Sequence, residues 1–295
     1  MLARNRSERV LYLFILPAML IYLFFYIYPM FQGLYYSTTD WNGFAPKKNF
    51  IGLKNYADIF RDTHILTAIK NTFIYTVVVT FFSNLIGLIL ALMLEDRSRS
   101  SRTFRTLFFT PAVLSPVVVS FIWKYMYSPN SGVLNSLFHA VGLNGMAQDW
   151  LGNPHLALLS VMLVPLWQWG GNVMVVFLAG LMNIHPEYYE SARVDGVNYL
   201  QRFRFVTWPL LRPAIVFNLV ISTIGSFKTF DFIFIMTNGG PGYLTEVLTL
   251  TVYNYTLYTA KFGYGTAVGA LLTLFVVIFC IVELRVLSRG AESYV

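Results

Sequence analysis

Few side chains in this sequence could do chemistry, because only 12% of its 295 residues are charged. Ionisable groups inside apolar segments are costly and therefore suggest function. Three such groups stand out, namely Lys124, Lys228 and Asp231. Lys228 and Asp231 are three residues apart, so a continuous helix would place them on one face, where they can pair. Two interpretations remain open: the two side chains line a water-filled cavity, or they neutralise each other inside the protein.

The motifs that catalysis by the chain itself would need are missing from the sequence. There is no G-x-x-x-x-G-K-[ST] for nucleotide phosphates, no H-E-x-x-H for zinc and no G-x-S-x-G for a nucleophilic serine. The single cysteine, Cys280, excludes a disulfide framework and a multi-thiolate metal site, and the four histidines lie in different segments. We therefore expect no catalytic residue, no metal site and no cofactor in this chain.

The polar loop at residues 182–212 begins with the pattern of a short helix. Pro186 suits the first turn of a helix, and Glu187 and Glu190 follow early, where negative charge complements the helix dipole. Gly196 supplies the left-handed residue that ends such a helix. The pattern predicts a helix that stops at Gly196.

A second short helix is predicted directly afterwards in the same loop. Asn198 and Gln201 have the spacing of a capping box, and we expect Pro209 to terminate the helix. Ser191 and Ala192 in the first helix are small, so the surface of a partner protein could approach closely there. The alternative is an amphipathic elbow that rests on the bilayer, with three aromatic anchors: Tyr188, Tyr189 and Trp208.

Membrane-spanning helices must position these residues, because the chain is 56% hydrophobic and its mean hydropathy is +0.58. A spanning helix needs about 20 predominantly apolar residues. Six segments satisfy this requirement: residues 10–31, 72–94, 106–127, 156–181, 211–237 and 264–287. The predicted fold is all-α, a polytopic membrane protein with six transmembrane helices. Prolines inside these segments predict kinks: Pro17, Pro29, Pro111, Pro116 and Pro165.

The distribution of Lys and Arg predicts the orientation, since positive charge is enriched in cytoplasmic loops. With six spans both termini share one side, and that side carries thirteen Lys and Arg against six on the other. The thirteen are Arg4, Arg6, Arg9, Arg97, Arg99, Arg102, Arg105, Arg193, Arg202, Arg204, Arg212, Arg285 and Arg289. We expect both termini in the cytoplasm, which explains the net charge of +7 without nucleic acid.

Small residues recur every four positions in two of the predicted spans. Ser83, Gly87 and Ala91 form one set, and Gly265 and Gly269 form the other. Such spacing favours close approach of a neighbouring helix. The alternative is that these residues face lipid.

The polar loop resembles a known signature. Glu190-Ser191-Ala192, then Gly196, then Val206-Thr207-Trp208-Pro209 nine residues later, is similar to the E-A-A–x3–G–x9–I-x-L-P signature of membrane permeases in binding-protein-dependent ABC importers. Ser191 replaces the first alanine, and Val206 and Trp208 replace isoleucine and leucine. The spacing is intact.

The resemblance covers nearly the whole chain and points to the carbohydrate branch of these permeases, the first permease of a pair. This branch serves maltose, lactose, multiple sugars and glycerol 3-phosphate. Its similar segments here are Leu16-Pro17-Ala18, Tyr28-Pro29, Ile51-Gly52-Leu53-Lys54-Asn55-Tyr56, Arg105-Thr106-Leu107-Phe108-Phe109, Pro209-Leu210-Leu211-Arg212-Pro213 and Thr237-Asn238-Gly239-Gly240-Pro241-Gly242.

The resemblance implies a type I ABC importer permease whose polar loop is a coupling helix. The implied partners are a second homologous permease, two ATP-binding subunits that hold ATP and Mg²⁺, and an extracytoplasmic solute-binding protein, all at a bacterial-type inner membrane. ATP-driven closure of the two ATPases would open the membrane cavity outward, and hydrolysis would reset it. The implied coupling residues are Glu190, Ser191, Ala192, Asp195, Gly196 and Pro209.

The resemblance also suggests a substrate pathway in the fifth span. Positions that contact sugar in the maltose permease correspond to Gly225, Ser226 and Thr229, with the charged Lys228 and Asp231 beside them. Sugars bind by aromatic stacking together with orienting polar groups. The plausible neighbours on that ground are Phe227, Phe230, Trp167, Trp169 and Asn172, although a phenylalanine in such an aromatic-rich chain more often belongs to the core or faces lipid.

The function that follows is import of a carbohydrate, with an oligosaccharide favoured over a monosaccharide or glycerol phosphate. A self-sufficient secondary carrier is the alternative class, but no internal repeat of broken helices is evident. The domain division predicted from the sequence is a first helix with outer loop at 1–69, a permease domain at 70–287 and a tail at 288–295.

Overall fold

The computed structural model describes residues 14–96 and 98–288. Residues 10–13 of the first predicted span, the tail at 289–295 and five predicted cytoplasmic arginines lie outside the described residues: Arg4, Arg6, Arg9, Arg97 and Arg289. The predicted division at residues 69 and 287 stays a prediction.

Most of the described residues are helical, and a single isolated β-bridge among them joins Thr39 and Phe50. In chain order they are α1 (Phe14–Tyr36), α2 (Lys54–Ile59), α3 (Thr63–Met93), α4 (Arg99–Val113), α5 (Pro116–Met126), α6 (Val133–Ala140), α7 (Ala157–Met182), α8 (Pro186–Val194), α9 (Tyr199–Arg202), α10 (Trp208–Phe227), α11 (Asp231–Met236), α12 (Leu248–Tyr253) and α13 (Phe262–Ser288). Three π-helical turns occupy Leu23–Ile27, Phe203–Thr207 and Asn254–Tyr258.

Five of the described helical segments are long and apolar enough to cross a membrane, and the bent pair α4–α5 makes a sixth. The five are Phe14–Tyr36, Thr63–Met93, Ala157–Met182, Tyr199–Phe227 and Phe262–Leu287. The predicted all-α, six-span fold is thereby confirmed, with shifts of several residues at most boundaries.

The chain divides into two compact units. One contains residues up to Asp62 together with Thr251–Leu271, and the other contains Thr63–Leu250 and the segment that starts at Leu272. In the first unit the rings of Trp41 and Phe262 pack edge to face, with their centroids 4.9 Å apart. A side chain at Gly265 would meet Thr256 within the same unit, so the predicted close approach at Gly265 is confirmed.

The second unit is built on close packing of α3, α7 and α10. A Cβ at Gly87 of α3 would lie 2.5 Å from the Val173 side chain of α7, and one at Gly180 would lie 2.8 Å from Ala214 of α10. Ala91 belongs to the buried cluster that joins the three helices. The predicted small-residue face at Gly87 and Ala91 is therefore a packing face, because side chains there would force the helices apart.

The third span is bent rather than straight. α4 and α5 meet at 96°. Ser115, just before Pro116, has an extended backbone, because proline disfavours helical geometry in the residue before it. The break frees the carbonyl of Leu114, which accepts a hydrogen bond of 2.8 Å from the buried amide of Gln168. The break at Pro116 is satisfied within the protein, as backbone groups at membrane depth require.

Two predictions for the fifth span are wrong. Pro209 does not end the second short helix: α9, a π-turn and α10 form one helical run through Pro209. The π-turn ends where the Trp208 N–H donates to the Phe203 carbonyl. Such a widened turn accommodates the ring of Pro209, which follows Trp208.

The same span ends earlier than predicted. α10 stops at Phe227, and Lys228–Phe230 leave the helix before α11 starts at Asp231. Its 20 residues correspond to about 30 Å, the thickness of the hydrocarbon core. Lys228 and Asp231 therefore follow the last turn of the span instead of sharing a helix face.

Candidate functional site

The elbow, residues 183–207, starts with the predicted helix and ends it as predicted. Pro186 occupies the first position of α8 and Glu187 lies in its first turn. Gly196 has φ +71°; its N–H donates to the Arg193 carbonyl and the Val197 N–H to the Ala192 carbonyl. These two bonds form a Schellman motif, which closes the helix on the left-handed glycine.

The capping box of the second helix is also confirmed. The Asn198 side chain accepts from the Gln201 N–H, and the Gln201 side chain accepts from the Asn198 N–H, both at 2.9 Å. The reciprocal bonds satisfy two backbone donors that the start of α9 would otherwise leave without partners. The direction of the chain after Gly196 is thus fixed by local bonds.

The elbow exposes one set of predicted residues and buries another. Glu190, Ser191, Asp195 and Gly196 are exposed, and Val194 beside them is 88% exposed. Ala192 is buried against its own chain, so it is not a contact surface for another protein, contrary to the expectation from its size. The exposed side of α8 is the side available to a partner.

The buried side of the elbow packs on the membrane helices. Tyr189 lies against the apolar cluster of α3, α7 and α10, and its hydroxyl is 3.4 Å from that of Thr207. Burial raises the pKa of Tyr189 above its ordinary value, so the phenol stays protonated at neutral pH. Arg202 lies over the Tyr189 ring at 5.7 Å. These contacts attach α8 to the ends of the spanning helices.

An open pocket with a volume of about 550 Å³ lies between the elbow and the ends of α3 and α7. Its charged lining residues are Glu95, Glu190, Arg193 and Arg202. The pocket therefore offers both signs of charge around apolar walls.

A second cavity, of about 320 Å³, lies where α10 breaks. Its lining comes from α3, α5, α7, α10 and the break itself: Tyr75, Val79, Ser83, Pro116, Pro165, Trp169, Asn172, Val173, Asn218, Ile221, Ser222, Gly225, Ser226, Lys228, Thr229, Phe230, Asp231 and Phe232. Irregular backbone at such a position is typical of a cavity wall. The volume is within the usual range of ligand pockets, about 300–1,000 Å³.

Hydroxyl and amide groups dominate the polar lining of the cavity. The Thr229 hydroxyl donates to Tyr75 at 3.0 Å, and the Asn84 amide behind the wall donates to Ser222 at 3.3 Å. Lys228 and Asp231 make no ion pair with each other among the described residues. Both charged residues line the cavity, as the first of the two interpretations expected.

The predicted pathway residues are largely brought together here. Seven of the eight line the cavity: Gly225, Ser226, Lys228, Thr229, Phe230, Asp231 and Asn172. Phe227 does not, because its ring is fully buried in an aromatic cluster with Phe73 and Phe279. Trp169 lines the cavity, whereas Trp167 packs edge-on against Trp123 elsewhere.

Sequence reasoning missed Tyr75, Asn218 and Ser222 of the lining, the buried Glu246 and the partly buried Glu283. Glu246 is almost fully buried and meets His64 Nε2 at 2.7 Å. Glu283, inside the last span, accepts from the Thr223 hydroxyl at 2.6 Å. The recurrence of polar residues along α3 was the available signal for Tyr75, since a polar stripe in an apolar span marks a buried face.

The fold and these two sites define a polytopic membrane protein with an exposed elbow and, at a broken helix, a largely apolar cavity that contains hydroxyl, amide and charged groups. Residues 83–290 match the family of binding-protein-dependent transport system inner membrane components. The chain belongs to this family and is a multi-pass membrane component of a transport system.

Relatives match the chain along its length. The probable ABC transporter permease protein YurN of Bacillus subtilis (strain 168) is 34% identical over 291 residues, which are 98% of this chain and 99% of the relative. The multiple sugar-binding transport system permease protein MsmF of Streptococcus mutans is 33% identical over 278 residues, 94% of each chain.

A solved structure has the same fold. A crystal structure of a bacterial ABC transporter involved in import of the acidic polysaccharide alginate contains a chain with a TM-score of 0.84 and 25% identity. The alignment covers 97% of this chain and 98% of that chain. The resemblance to ABC importer permeases noted in the sequence is confirmed.

Proposed function

We propose that this chain is one of two permease subunits that together form the pathway of an ABC importer for a carbohydrate. The observation that carries the proposal is the cavity at the break of α10. Hydroxyls and amides line it, and Trp169 and Phe230 add aromatic rings. Sugars bind through such a combination of stacking and orienting polar groups. The multiple-sugar permease of Streptococcus mutans and the alginate importer support the same substrate class.

An oligosaccharide fits the cavity better than a phosphate ester does. A phosphate site would need a predominance of positive charge, whereas Lys228 is accompanied by Asp231 in this lining. A carboxylate accepts hydrogen bonds from sugar hydroxyls but repels phosphate. The glycerol phosphate alternative is therefore disfavoured.

Energy for transport would come from ATP and Mg²⁺ on two separate ATP-binding subunits. In the proposal, α8 docks on one of these subunits through its exposed face, which includes Glu190, Ser191, Asp195 and Gly196. Ala192, buried within the elbow, and Pro209, in the first turn of α10 directly after it, act from inside by holding α8 in place. The packing of Tyr189 on the membrane helices supports this role, because it connects α8 to the walls of the pathway.

The cycle is alternating access. Closure of the two ATPases moves both coupling helices together and opens the cavity toward a solute-binding protein outside the membrane. ATP hydrolysis and separation of the two ATPases then turn the opening of the cavity back toward the cytoplasm. In this arrangement both termini and the elbow lie in the cytoplasm of a bacterial-type cell, as the Lys and Arg distribution favours.

Two experiments test the proposal: co-purification of the chain with its partner subunits, and ligand binding by the solute-binding protein. The tagged chain is purified from its own cells in mild detergent, and the solute-binding protein encoded nearest to it is assayed with maltose-type oligosaccharides, monosaccharides and glycerol 3-phosphate. We expect a second permease and a P-loop ATPase to accompany the chain, and the binding protein to retain an oligosaccharide. A chain that purifies alone and transports alone in liposomes would contradict the importer, and a binding protein that prefers glycerol phosphate would contradict the substrate class.

A further inference from the structure

The segment between α5 and α7 has an exposed apolar face that the proposed function does not use. Val133, Leu137 and Val141 recur every four residues on α6 and at its end, and they are 42%, 55% and 66% exposed. Leu143 and Met146 continue the apolar surface beyond the helix. Residues four apart lie one above another on a helix, so these side chains form one stripe.

The other faces of α6 are occupied or polar. Asn135 is buried and its amide donates to the carbonyls of Pro129 and Gln148 at 3.0 and 2.9 Å. The Trp150 indole in turn donates to the Asn135 side chain at 2.8 Å. Ser136 and His139 form an exposed polar edge. α6 is therefore amphipathic, and hydrogen bonds hold its orientation relative to α5 and α7.

A chain of aromatic contacts fixes the level of α6 along the bundle. Phe138 of α6 stacks on Trp150, with centroids 6.1 Å apart, and Trp150 lies 5.9 Å from Tyr127, which follows α5. Tyr127 in turn contacts Trp123, and Trp123 contacts Trp167. Trp and Tyr are enriched where a spanning helix leaves the hydrocarbon. These contacts put α6 at the level of such an aromatic belt, at the end of α7 away from the elbow.

Charge is missing from this segment. No Lys, Arg, Asp or Glu occurs from Tyr125 to Gln148, although a connection in water would ordinarily have about a quarter of its residues charged. An amphipathic helix in the headgroup boundary of a bilayer buries its apolar side by about 5–10 Å and keeps its polar face toward water. Ser136 and His139 supply that polar face in α6.

We propose that α6 lies in the membrane interface at the end of the bundle away from the elbow, with Val133, Leu137 and Val141 directed to the lipid acyl chains. The partner of this surface is the bilayer itself. Lying there, α6 ties the last turn of α5 and the first turn of α7 to the membrane surface.

Nitroxide labels on neighbouring positions test the proposal. In a Cys280→Ala background, Leu137→Cys places a label on the apolar stripe and Ser136→Cys places one on the polar edge of the same helix. The chain is purified with its accompanying subunits and reconstituted in lipid nanodiscs. Collision of each label with oxygen, which concentrates in lipid, is compared with collision with a water-soluble nickel chelate.

We expect oxygen collision to exceed chelate collision several-fold at Leu137→Cys and the reverse at Ser136→Cys. Equal or higher chelate collision at Leu137→Cys would mean that the stripe faces water. Protection of that label from both reagents would mean that a protein surface covers it. Either result would overturn the proposal, and both variants are at exposed positions, so folding is not in question.

Discussion

At the scale of single residues, Gly196 shows how little chemistry the elbow needs. Its role depends on a backbone angle, φ +71°, that side chains disfavour by about 1–2 kcal/mol, while the space around it is open. Glu190 and Asp195 supply charge on the exposed side of the same turn. The shape of the elbow thus rests on the direction of the backbone at Gly196, and the proposed docking requires that shape.

Gly196→Asp tests this role. Strain at the turn and a new charge on α8 should reduce uptake per ATP hydrolysed at least about tenfold, since a change of ~1.4 kcal/mol in the coupling equilibrium is a factor of ten. The measurement compares uptake and ATP hydrolysis in proteoliposomes. Gly52→Asp is the matched control, because Gly52 also has positive φ and open surroundings but lies outside the elbow. Normal coupling in Gly196→Asp would count against the docking role.

Blocking the cavity tests the substrate pathway. Gly225 faces open space, so Gly225→Trp places an indole in the cavity without a clash at Cβ. Uptake should be lost while the complex still assembles, and Ser226→Trp and Thr229→Trp should have the same effect. Phe217→Trp is the control, on the exposed side of the same helix. Retention of full uptake in Gly225→Trp would exclude the cavity as the pathway.

At the scale of helices, local signals were readable and tertiary ones were not. Proline, glycine and capping residues act on their own neighbours, and so the ends of α8 and the start of α9 could be predicted from sequence. The end of α10 could not, because Phe227–Phe230 contains neither glycine nor proline. In the break that follows α10, the Thr229 carbonyl instead accepts a hydrogen bond from the hydroxyl of Thr249, which is distant in sequence. The break beside the cavity is therefore held in part by a contact that local sequence does not reveal.

The junction of α3 and α4 gives a stability prediction. Arg105 donates from Nε and Nη2 to the Leu94 carbonyl at 3.0 and 2.6 Å, and from Nη2 to the Asp96 carbonyl at 2.8 Å. Charged hydrogen bonds contribute about 1.5–3 kcal/mol. Arg105→Met should therefore lower the thermal midpoint of the complex by several degrees. Arg102→Met removes the same charge from the same helix, and its midpoint should stay near that of the wild type; equal effects would refute the bonding role.

The packing of α3 on α7 gives a second stability prediction. A Cβ at Gly87 would lie 3.0 Å from the backbone nitrogen of Met174, which cannot rotate away. Gly87→Leu should force the helices apart, at a cost of about 1–3 kcal/mol or more, and reduce the amount of folded protein in the membrane. Gly33→Leu, where no atom lies within 4 Å, is the control. Equal yields of the two variants would contradict close packing at Gly87.

At the scale of the whole molecule, the chain combines the cavity at the break of α10 with the elbow, and its sequence has none of the catalytic motifs considered. The family assignment and the six-span fold followed from sequence because motif spacing and apolar length survive substitution. Which side chains line the cavity did not follow, since Tyr75, Asn218 and Ser222 meet there only when α3 and α10 pack together. In the proposed function, other subunits supply the energy and act through the elbow.

The most direct test of this account is uptake of a labelled oligosaccharide by proteoliposomes that contain the chain with its co-purifying subunits. ATP is enclosed inside or omitted, and the solute-binding protein is added outside or omitted. The account predicts uptake only when both are present, and loss of that uptake in Gly196→Asp with continued ATP hydrolysis. Uptake by the chain alone, driven by a solute or ion gradient without ATP, would contradict it.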